Sequence, residues 1–160
     1  MADLRELLLR LGHTDVRTHL QSGNLVFTSR GRNPDALVRP IEQGIKDRLG
    51  LSVRCLVRTG KELQAVIDGN PLRDVATDGS KMLALFLSHR PDPTLVAAHD
   101  PSALGPEQIR IGERVVYQWC PGGILVAPNI SAYLEKHWML TVTARNWNTV
   151  TRLSGLLDET

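Results

Sequence analysis

The stretch Thr143-Ala-Arg-Asn-Trp-Asn-Thr-Val150 decides how the end of the chain folds. Just before and within it, residues 140–144 are rich in β-branched side chains, which predicts a short strand. Residues 149–157 place apolar side chains at helical spacing, which predicts a helix. The strand therefore ends at Arg145, and Asn146 is expected to cap the helix because its amide oxygen can accept from a first-turn N–H group.

This junction has two interpretations. A polar cluster at the start of a helix favours an anion site, because first-turn N–H groups can bind an anion. In the structural alternative, Asn146 caps the helix, Trp147 packs onto the sheet and Arg145 pairs with a carboxylate. The structural alternative is the simpler, since short motifs have many false positives. The candidate ligand-binding residues of the junction are Arg145, Asn146, Trp147, Asn148 and Thr149.

The hexapeptide Arg145-Asn-Trp-Asn-Thr-Val150 resembles the C-terminal signature of the bacterial DUF1697 family, which has no assigned function. The resemblance extends to residues 1–8, to Gly12-His-Thr-Asp-Val-Arg-Thr-His-Leu-Gln-Ser-Gly-Asn-Leu-Val-Phe27 and to Asn70-Pro71, and it covers most of the chain. Proteins that resemble this chain carry a segment similar to Ala-Leu-Leu-Arg-Gly-Ile-Asn-Val-Gly-Gly before the residues that match Met1. The resemblance thus implies that an N-terminal strand of the family is missing from this sequence, either in fact or through a misassigned start codon.

Composition indicates a globular protein with room for a real core. The chain has 160 residues, of which 42% are apolar and 22% charged. No apolar run approaches the roughly 20 residues of a membrane helix, and the start does not resemble a signal peptide, so we expect a cytoplasmic protein that does not enter a membrane. Cys55 and Cys120 are expected to be buried free thiols.

The net charge of +2 is divided unevenly. Residues 1–61 contain eleven Lys/Arg and six Asp/Glu and have a net charge of +5, whereas residues 62–160 have a net charge of −3. A positive first half favours a polyanionic partner or attraction between the halves, although ordinary solvated charge explains the same numbers.

Periodicity and turn signals predict the remaining elements. In the first half these are a helix over 3–11, a hairpin of strands 16–20 and 25–28, a helix from Pro34 to Leu49, a strand over 52–57 and a helix over 59–68 that opens with a Thr59-x-x-Glu62 capping box. In the second half they are strands at 82–88, 109–111 and 114–119 and helices at 93–99 and 131–138, followed by the terminal strand and helix.

The order of these elements suggests an internal repeat. Residues 82–144 read β-α-β-β-α-β, the ferredoxin-like order, and residues 3–57 read the same without the first strand. The predicted fold class is therefore α+β, with two tandem ferredoxin-like βαββαβ units of which the first lacks its N-terminal strand. We place these units at 1–70 and 82–160, with a linker at 71–81 rich in Gly, Pro, Asp and Ser.

A second polar block, Gln21-Ser-Gly-Asn24, is predicted to form the hairpin turn. Its candidate ligand-binding residues are Gln21, Ser22 and Asn24. Ser22 beside His19 lacks a third partner, so no catalytic residue is assigned. No phosphate loop, dinucleotide fingerprint or metal motif is present, and no cofactor or metal is expected.

Three functions remain open, and an enzymatic one is neither assigned nor excluded. The first is a binding or interaction module that self-associates as a homo-oligomer. The second is an enzyme or binding protein for a small anionic ligand held at the Arg145-Asn146 junction, with the 21–24 turn facing it in one pocket. The third is weak nucleic-acid binding, which is unlikely because aromatic residues make up only 4% of the chain and no RNA-binding aromatic pattern occurs.

Overall fold

The structure, a computed structural model, describes residues 2–19, 23–31 and 33–158. As predicted, the protein is α+β, with two antiparallel sheets. The helices are α1 Ala2–Arg10, α2 Val38–Leu49, α3 Gly60–Asp68, α4 Pro93–Ala98, α5 Ile130–His137 and α6 Trp147–Asp158. The strands are β1 Thr14–His19, β2 Asn24–Thr28, β3 Met82–Leu87, β4 Ile109–Ile111, β5 Val115–Trp119 and β6 Val142–Asn146. Short 3-10 turns lie at Pro34–Leu37, Gly79–Lys81, Pro101–Leu104 and Ile124–Val126.

The chain divides into two compact units. The first comprises Met1–Leu63 and Arg152–Thr160, and the second comprises Gln64–Thr151. The predicted linker at 71–81 lies inside the second unit, and the boundaries at 1–70 and 82–160 stay a prediction about independent domains. None of the helices in the described ranges is long and apolar enough to cross a membrane.

The second unit is built on β3. Its sheet has the order β4-β5-β3-β6, and all neighbours are antiparallel. Ala84 of β3 lies opposite Tyr117 of β5 on one side and Arg145 of β6 on the other. The uninterrupted apolar sequence of β3 suits a strand covered on both faces, and its predicted central position is confirmed.

The main core of the second unit covers one face of this sheet. Trp138 is almost completely buried there, and its indole N–H donates to the carbonyl of His99 at 2.9 Å. The hydroxyl of Tyr117 donates to the carbonyl of Val66 at 2.7 Å, which ties β5 to α3. Burial raises the pKa of Tyr117 to about 12, so this phenol stays a hydrogen-bond donor at physiological pH. The cluster consists of Leu85, Leu87, Ile109, Val116, Ile130, Leu134, Trp138 and Leu140.

The first unit contains the hairpin of β1 and β2 and a smaller core. The hairpin pairs Arg17 with Val26 and His19 with Asn24, so β2 begins at the last residue of the predicted 21–24 turn. Gln21 and Ser22, which were predicted to form its turn, lie outside the described residues. The core consists of Leu7, Leu8, Val16, Ile41 and Ile45, contributed by α1, β1 and α2.

Local signals in the first unit act as expected. The Thr59–Glu62 capping box is confirmed, because Thr59 N–H donates to the Glu62 carboxylate at 2.9 Å and Glu62 N–H to the Thr59 hydroxyl at 3.1 Å. Pro40 lies inside the helix predicted from Pro34, where proline is expected either to kink the helix or to delay its start, and the structure shows the later start. The preceding residues form a 3-10 turn, and α2 begins at Val38. Pro40 thus lies in the first turn, where its missing N–H has no intrahelical partner to lose.

One predicted strand is wrong. Residues 52–57 are not a strand, and they make no ladder with any described segment. Their sequence has strand character, but a strand also needs a neighbour that supplies backbone donors and acceptors. In the second unit the strand in the same place, β6, pairs with β3, and the described part of the first unit has no strand equivalent to β3. The full description as two ferredoxin-like units therefore stays a prediction.

Replacing Trp138 by alanine tests the core of the second unit. We expect Trp138→Ala to lower the free energy of unfolding by about 3–5 kcal/mol, because it leaves a cavity and removes a buried hydrogen bond. Urea unfolding followed by circular dichroism measures the change. Leu125→Ala is the control, since Leu125 is fully exposed and the expected change is below about 0.5 kcal/mol. Equal effects of the two substitutions would contradict this core.

The contact of α4 and α5 carries an imidazole stack. The rings of His99 and His137 lie 4.3 Å apart and nearly parallel, and Tyr133 lies 4.5 Å from His137. Desolvation lowers the pKa of His137, and the charges of His99 and Lys136 lower it further. The folded state therefore disfavours protonation of this ring relative to the unfolded chain.

Stability of the second unit should consequently fall on acidification. His137 has a folded pKa below its unfolded value of about 6.5, so its contribution is fully present well above pH 6.5 and is lost as the pH falls from that value through the lower folded pKa. Urea midpoints at pH 7.5 and 5.5 measure this loss. We expect His137→Phe to reduce the difference between the urea midpoints measured at the two pH values. His89→Asn, at an exposed histidine, should leave that difference unchanged. A pH dependence identical in all three proteins would contradict the expectation.

Candidate functional site

The β6–α6 junction is held in place by β3. Arg145 lies opposite Ala84 and Asn146 opposite Leu83 in the sheet, so β6 ends one residue after Arg145, the predicted last strand residue. The side-chain oxygen of Asn146 accepts from the N–H of Thr149 at 2.9 Å, which confirms the predicted cap. Thr149 and Val150 are buried directly behind it. The register of one strand pair thus places the polar residues that precede α6.

Arg145 is half-buried at the end of β6. One guanidinium nitrogen, Nη1, donates to the carbonyl of Ala144 at 2.8 Å. Burial lowers the pKa of Arg145, although a guanidinium keeps its charge at any pH a cell reaches. A cation that has lost part of its hydration gains more from an anion than an exposed one does.

The 3-10 turn Gly79–Lys81 packs directly against Asn148. A Cβ added to Gly79 would overlap the side-chain oxygen of Asn148 and would lie 3.0 Å from its Cγ and 3.4 Å from its backbone nitrogen. Glycine is therefore required here by close approach.

Hydrogen bonds at both ends fix this turn. The Asp78 carboxylate accepts from Ser80 N–H at 2.9 Å and from the Ser80 hydroxyl at 2.6 Å, and these bonds lower the pKa of Asp78. The carbonyl of Lys81 accepts from the N–H of Cys120 at 2.8 Å. Asp78 thus stabilises the turn, and the Lys81 carbonyl ties its end to Cys120.

Trp147 fulfils the packing role expected of it. Its ring centroid lies 6.3 Å from that of Tyr117, in a tilted arrangement typical of aromatic pairs. The carbonyl of Trp147 accepts from the hydroxyl of Thr151 at 3.0 Å. The carbonyl of Asn148 also accepts from the Thr151 hydroxyl, at 3.2 Å. The first turn of α6 is therefore held by the Asn146 side chain, which precedes it, and by the Thr151 side chain, which follows it.

The second predicted block belongs to the other compact unit. Asn24 belongs to the first compact unit, is buried, and donates through Nδ2 to the carbonyl of His19 at 3.2 Å. Gln21 and Ser22 lie outside the described residues. The structure therefore brings together Arg145, Asn146, Trp147, Asn148 and Thr149, and a pocket shared with the 21–24 turn stays a prediction.

The sequence did not predict that residues of the 78–81 turn belong to the site. Gly79, Ser80 and Lys81 stood within a stretch interpreted as a linker, and only the Asp-Gly-Ser composition marked a turn there. Their proximity to Asn148 depends on β3 and β6 being neighbours, which short-range patterns do not encode. Among the described residues, no group of three or more His, Cys, Asp or Glu is placed to hold a metal ion.

The fold and the site define an α+β protein with a cationic, amide-rich junction between a strand and a helix. The chain belongs to the family described as a protein of unknown function (DUF1697), whose family model matches residues 1–117. This confirms the resemblance seen in the sequence. The matched range contains β1 to β4 and ends within β5, and the 145–150 block follows it.

A solved structure has a similar fold. It is the conserved bacterial protein SP0830 from Streptococcus pneumoniae, to which this chain is similar with a TM-score of 0.71 and 20% sequence identity. The similarity covers 99% of this chain and 88% of that one. At this identity the likeness concerns the fold alone. No curated protein matches the chain.

Substituting Gly79 tests the contact with Asn148. We expect Gly79→Ala to lower the free energy of unfolding by about 1–3 kcal/mol, since the new methyl group must displace the Asn148 amide. Gly79→Ala combined with Asn148→Ala should recover part of that loss, because the obstructing amide is gone. A double-mutant cycle by urea unfolding measures the coupling.

The control is Gly155→Ala in α6, where an added Cβ meets nothing within 4 Å. This substitution should stabilise the protein by roughly 0.5–1 kcal/mol through helix propensity alone. Additive effects of Gly79→Ala and Asn148→Ala would show that the two residues do not touch.

Proposed function

We propose that this protein is a binding module and that the β6–α6 junction is its site for a small anionic ligand. The observation that carries the proposal is the half-buried guanidinium of Arg145 directly before the capped start of α6, with the Gly79–Lys81 turn packed against Asn148. Helix N-termini carry partial positive charge and favour anions. Arg145, the residue before the cap, supplies a full charge and planar donors.

The free energies of the expected contacts correspond to a weak to moderate affinity for an anion. A helix N-terminus contributes roughly 0.3–1 kcal/mol toward an anion at an exposed site, and a hydrogen bond to a charged group roughly 1.5–3 kcal/mol. A few such contacts correspond to a dissociation constant of about 1 mM to 10 μM. A phosphate or carboxylate group is the chemistry that these donors match best.

The chemistry of the junction favours binding over catalysis. Tryptophan, asparagine and threonine side chains do not exchange protons near neutral pH, and Arg145 stays protonated. General acid–base work needs a group that titrates close to the operating pH. An enzymatic role would thus require a base from outside the five junction residues.

Self-association is the second candidate, and exposed aliphatic side chains favour it. The turn Ile124–Val126 presents Leu125 and Val126 with 100% and 76% of their surface exposed. Contiguous apolar surface of this kind is typical of contact sites, although three residues fall far below the roughly 800 Å² that each partner of a stable complex buries. Sedimentation equilibrium of the protein and of Leu125→Asp tests this candidate.

The finer description of the whole chain is also a proposal. We propose that it comprises two ferredoxin-like units, at 1–70 and 82–160, and that it works in the cytoplasm. The strand order β4-β5-β3-β6, with antiparallel neighbours, supports the ferredoxin-like description of the second unit. The equivalent sequence of helix, hairpin and helix in the first unit supports the repeat.

Anion binding is tested by thermal shift and calorimetry with inorganic phosphate, sulfate and nucleoside monophosphates. With a dissociation constant near 1 mM, 10 mM phosphate should stabilise the protein by about 1.4 kcal/mol and raise Tm by roughly 3–6 °C. Arg145→Gln should abolish most of this shift, measured against its own unliganded Tm. Arg145→Lys should retain part of it, because the charge remains.

Arg110→Gln is the matched control, since Arg110 is an exposed arginine of the same unit on β4. This variant should keep the full shift. If Arg145→Gln and Arg110→Gln respond to phosphate as the unsubstituted protein does, the binding is a general ionic effect and the junction is not the site.

A further inference from the structure

A serine and a histidine are in contact at the end of β3 that lies away from the β6–α6 junction. Ser88 directly follows β3, and its hydroxyl oxygen lies 3.1 Å from Nδ1 of His89. The backbone of Ser88 extends the pairing with β6, because its N–H donates to the carbonyl of Thr141 at 2.9 Å. Ser88 stands four residues beyond Ala84, which pairs with Arg145, so about 13 Å of strand separate the two places. The pair is therefore a feature distinct from the junction.

Hydrogen bonds direct the proton of the Ser88 hydroxyl. The hydroxyl oxygen accepts from the N–H of Thr141 at 3.0 Å. A hydroxyl has one proton to donate, and a backbone N–H does not accept it, so the proton is available to Nδ1 of His89. In the tautomer that carries its proton on Nε2, Nδ1 accepts this bond. This is the arrangement in which an imidazole activates a serine hydroxyl as a nucleophile.

The turn between β4 and β5 holds the segment that carries the pair. Arg90 forms an ion pair with Glu113 of this turn. Arg114, the next residue, donates through Nη2 to the carbonyl of Ser88 at 2.9 Å. Its own carbonyl accepts from the N–H of Leu87 at 3.0 Å. The histidine is therefore flanked by two residues that are both tied to the turn, and the guanidinium places positive charge beside the peptide unit of Ser88.

Arg114 has a backbone conformation that arginine rarely adopts. Its φ is 56°, in the left-handed region, where the Cβ crowds the following carbonyl oxygen. Glycine would adopt this conformation without that cost. Strained residues persist where their surroundings over-determine them, and they cluster at functional sites. Here the side chain that is kept at this backbone cost supplies the bond to Ser88 and a positive charge.

We propose that Ser88 and His89 form a nucleophile–base pair that hydrolyses small carboxylic esters. Ser88 Oγ bonds to the acyl carbon of the ester while its proton passes to Nδ1 of His89. The bond from the acyl carbon to the alcohol oxygen then breaks, and the alcohol leaves with that proton. Water attacks the acyl carbon in the second half of the reaction. His89 takes a proton from this water and returns one to Ser88, and the carboxylic acid is released.

Arg114 favours the reaction electrostatically. Negative charge develops on the carbonyl oxygen of the ester as the bond to Ser88 forms, and fixed positive charge near the nucleophile stabilises it. His89 is exposed and Ser88 is partly exposed, so a small ester reaches the pair from solvent. None of the five junction residues takes part, and the activity therefore goes beyond the anion binding proposed for the junction.

A fluorophosphonate probe tests whether the Ser88 hydroxyl is activated in the full chain. The serine oxygen bonds to phosphorus and displaces fluoride, while the hydroxyl proton passes to the base. Peptide mapping by mass spectrometry then shows which serine carries the label. We expect Ser88 to react at least about tenfold faster than Ser80, because a general base accelerates such steps. Ser80 is exposed, but its hydroxyl donates to the Asp78 carboxylate, a weak base with a lowered pKa.

Matched variants separate activation from simple exposure. His89→Gln keeps a hydrogen-bond acceptor but has no group that takes a proton near neutral pH, so it should slow the labelling of Ser88 at least about tenfold. Arg114→Asn tolerates the positive φ and removes the charge, so it should slow labelling at least about threefold while the protein stays folded. Arg145→Gln should leave the labelling rate unchanged, which makes this test independent of anion binding at the junction.

Hydrolysis of p-nitrophenyl acetate measures the proposed activity itself. We expect release of p-nitrophenol and an acetyl group on the peptide that contains Ser88, and both should be lost in Ser88→Ala. This variant also removes the acceptor for the Thr141 N–H, so if it does not fold, labelling of the unsubstituted chain and of His89→Gln decides. The proposal is overturned if Ser80 and Ser88 are labelled at equal rates, if His89→Gln reacts as fast as the unsubstituted chain, or if the acetyl group never appears on Ser88.

Discussion

The double pairing of β3 is the constraint on which the second unit depends. This strand supplies hydrogen bonds to β5 on one side and to β6 on the other, and its side chains fill the core. The pairing with β6 fixes where that strand ends, and therefore where α6 begins. Arg145 and Asn146 are the last residues of this ladder, so the register of the strand pair places the residues that begin the junction.

The two units show what such a strand contributes. The second unit has it, whereas the described part of the first unit has a two-stranded hairpin, helices and residues 51–57, which pair with no described strand, around a smaller core. Sequences with strand character occur in both. The difference lies in whether a neighbour is present to pair with, because a strand cannot satisfy its backbone groups alone.

Local signals predicted most of the fold. The apolar run of β3, the Thr59–Glu62 capping box, the Asn146 cap and the hairpin at 109–119 depend on residues close together in the chain, and all are found in the structure. Residues 52–57 were predicted wrongly because their conformation depends on a distant partner. Within the site, Arg145 to Thr149 were recognisable as a block, but Gly79 was not. Its contact with Asn148 arises from tertiary proximity.

A central strand, β3, organises the second unit, and the described part of the first unit has no equivalent strand. The most direct test of this difference is amide hydrogen exchange measured residue by residue. The account predicts that the amides of residues 83–87 are among the most protected in the protein, while those of residues 51–54 exchange at rates close to those of an unstructured peptide. Comparable strong protection of both segments in the monomer would contradict it, because residues 51–54 would then have a backbone partner.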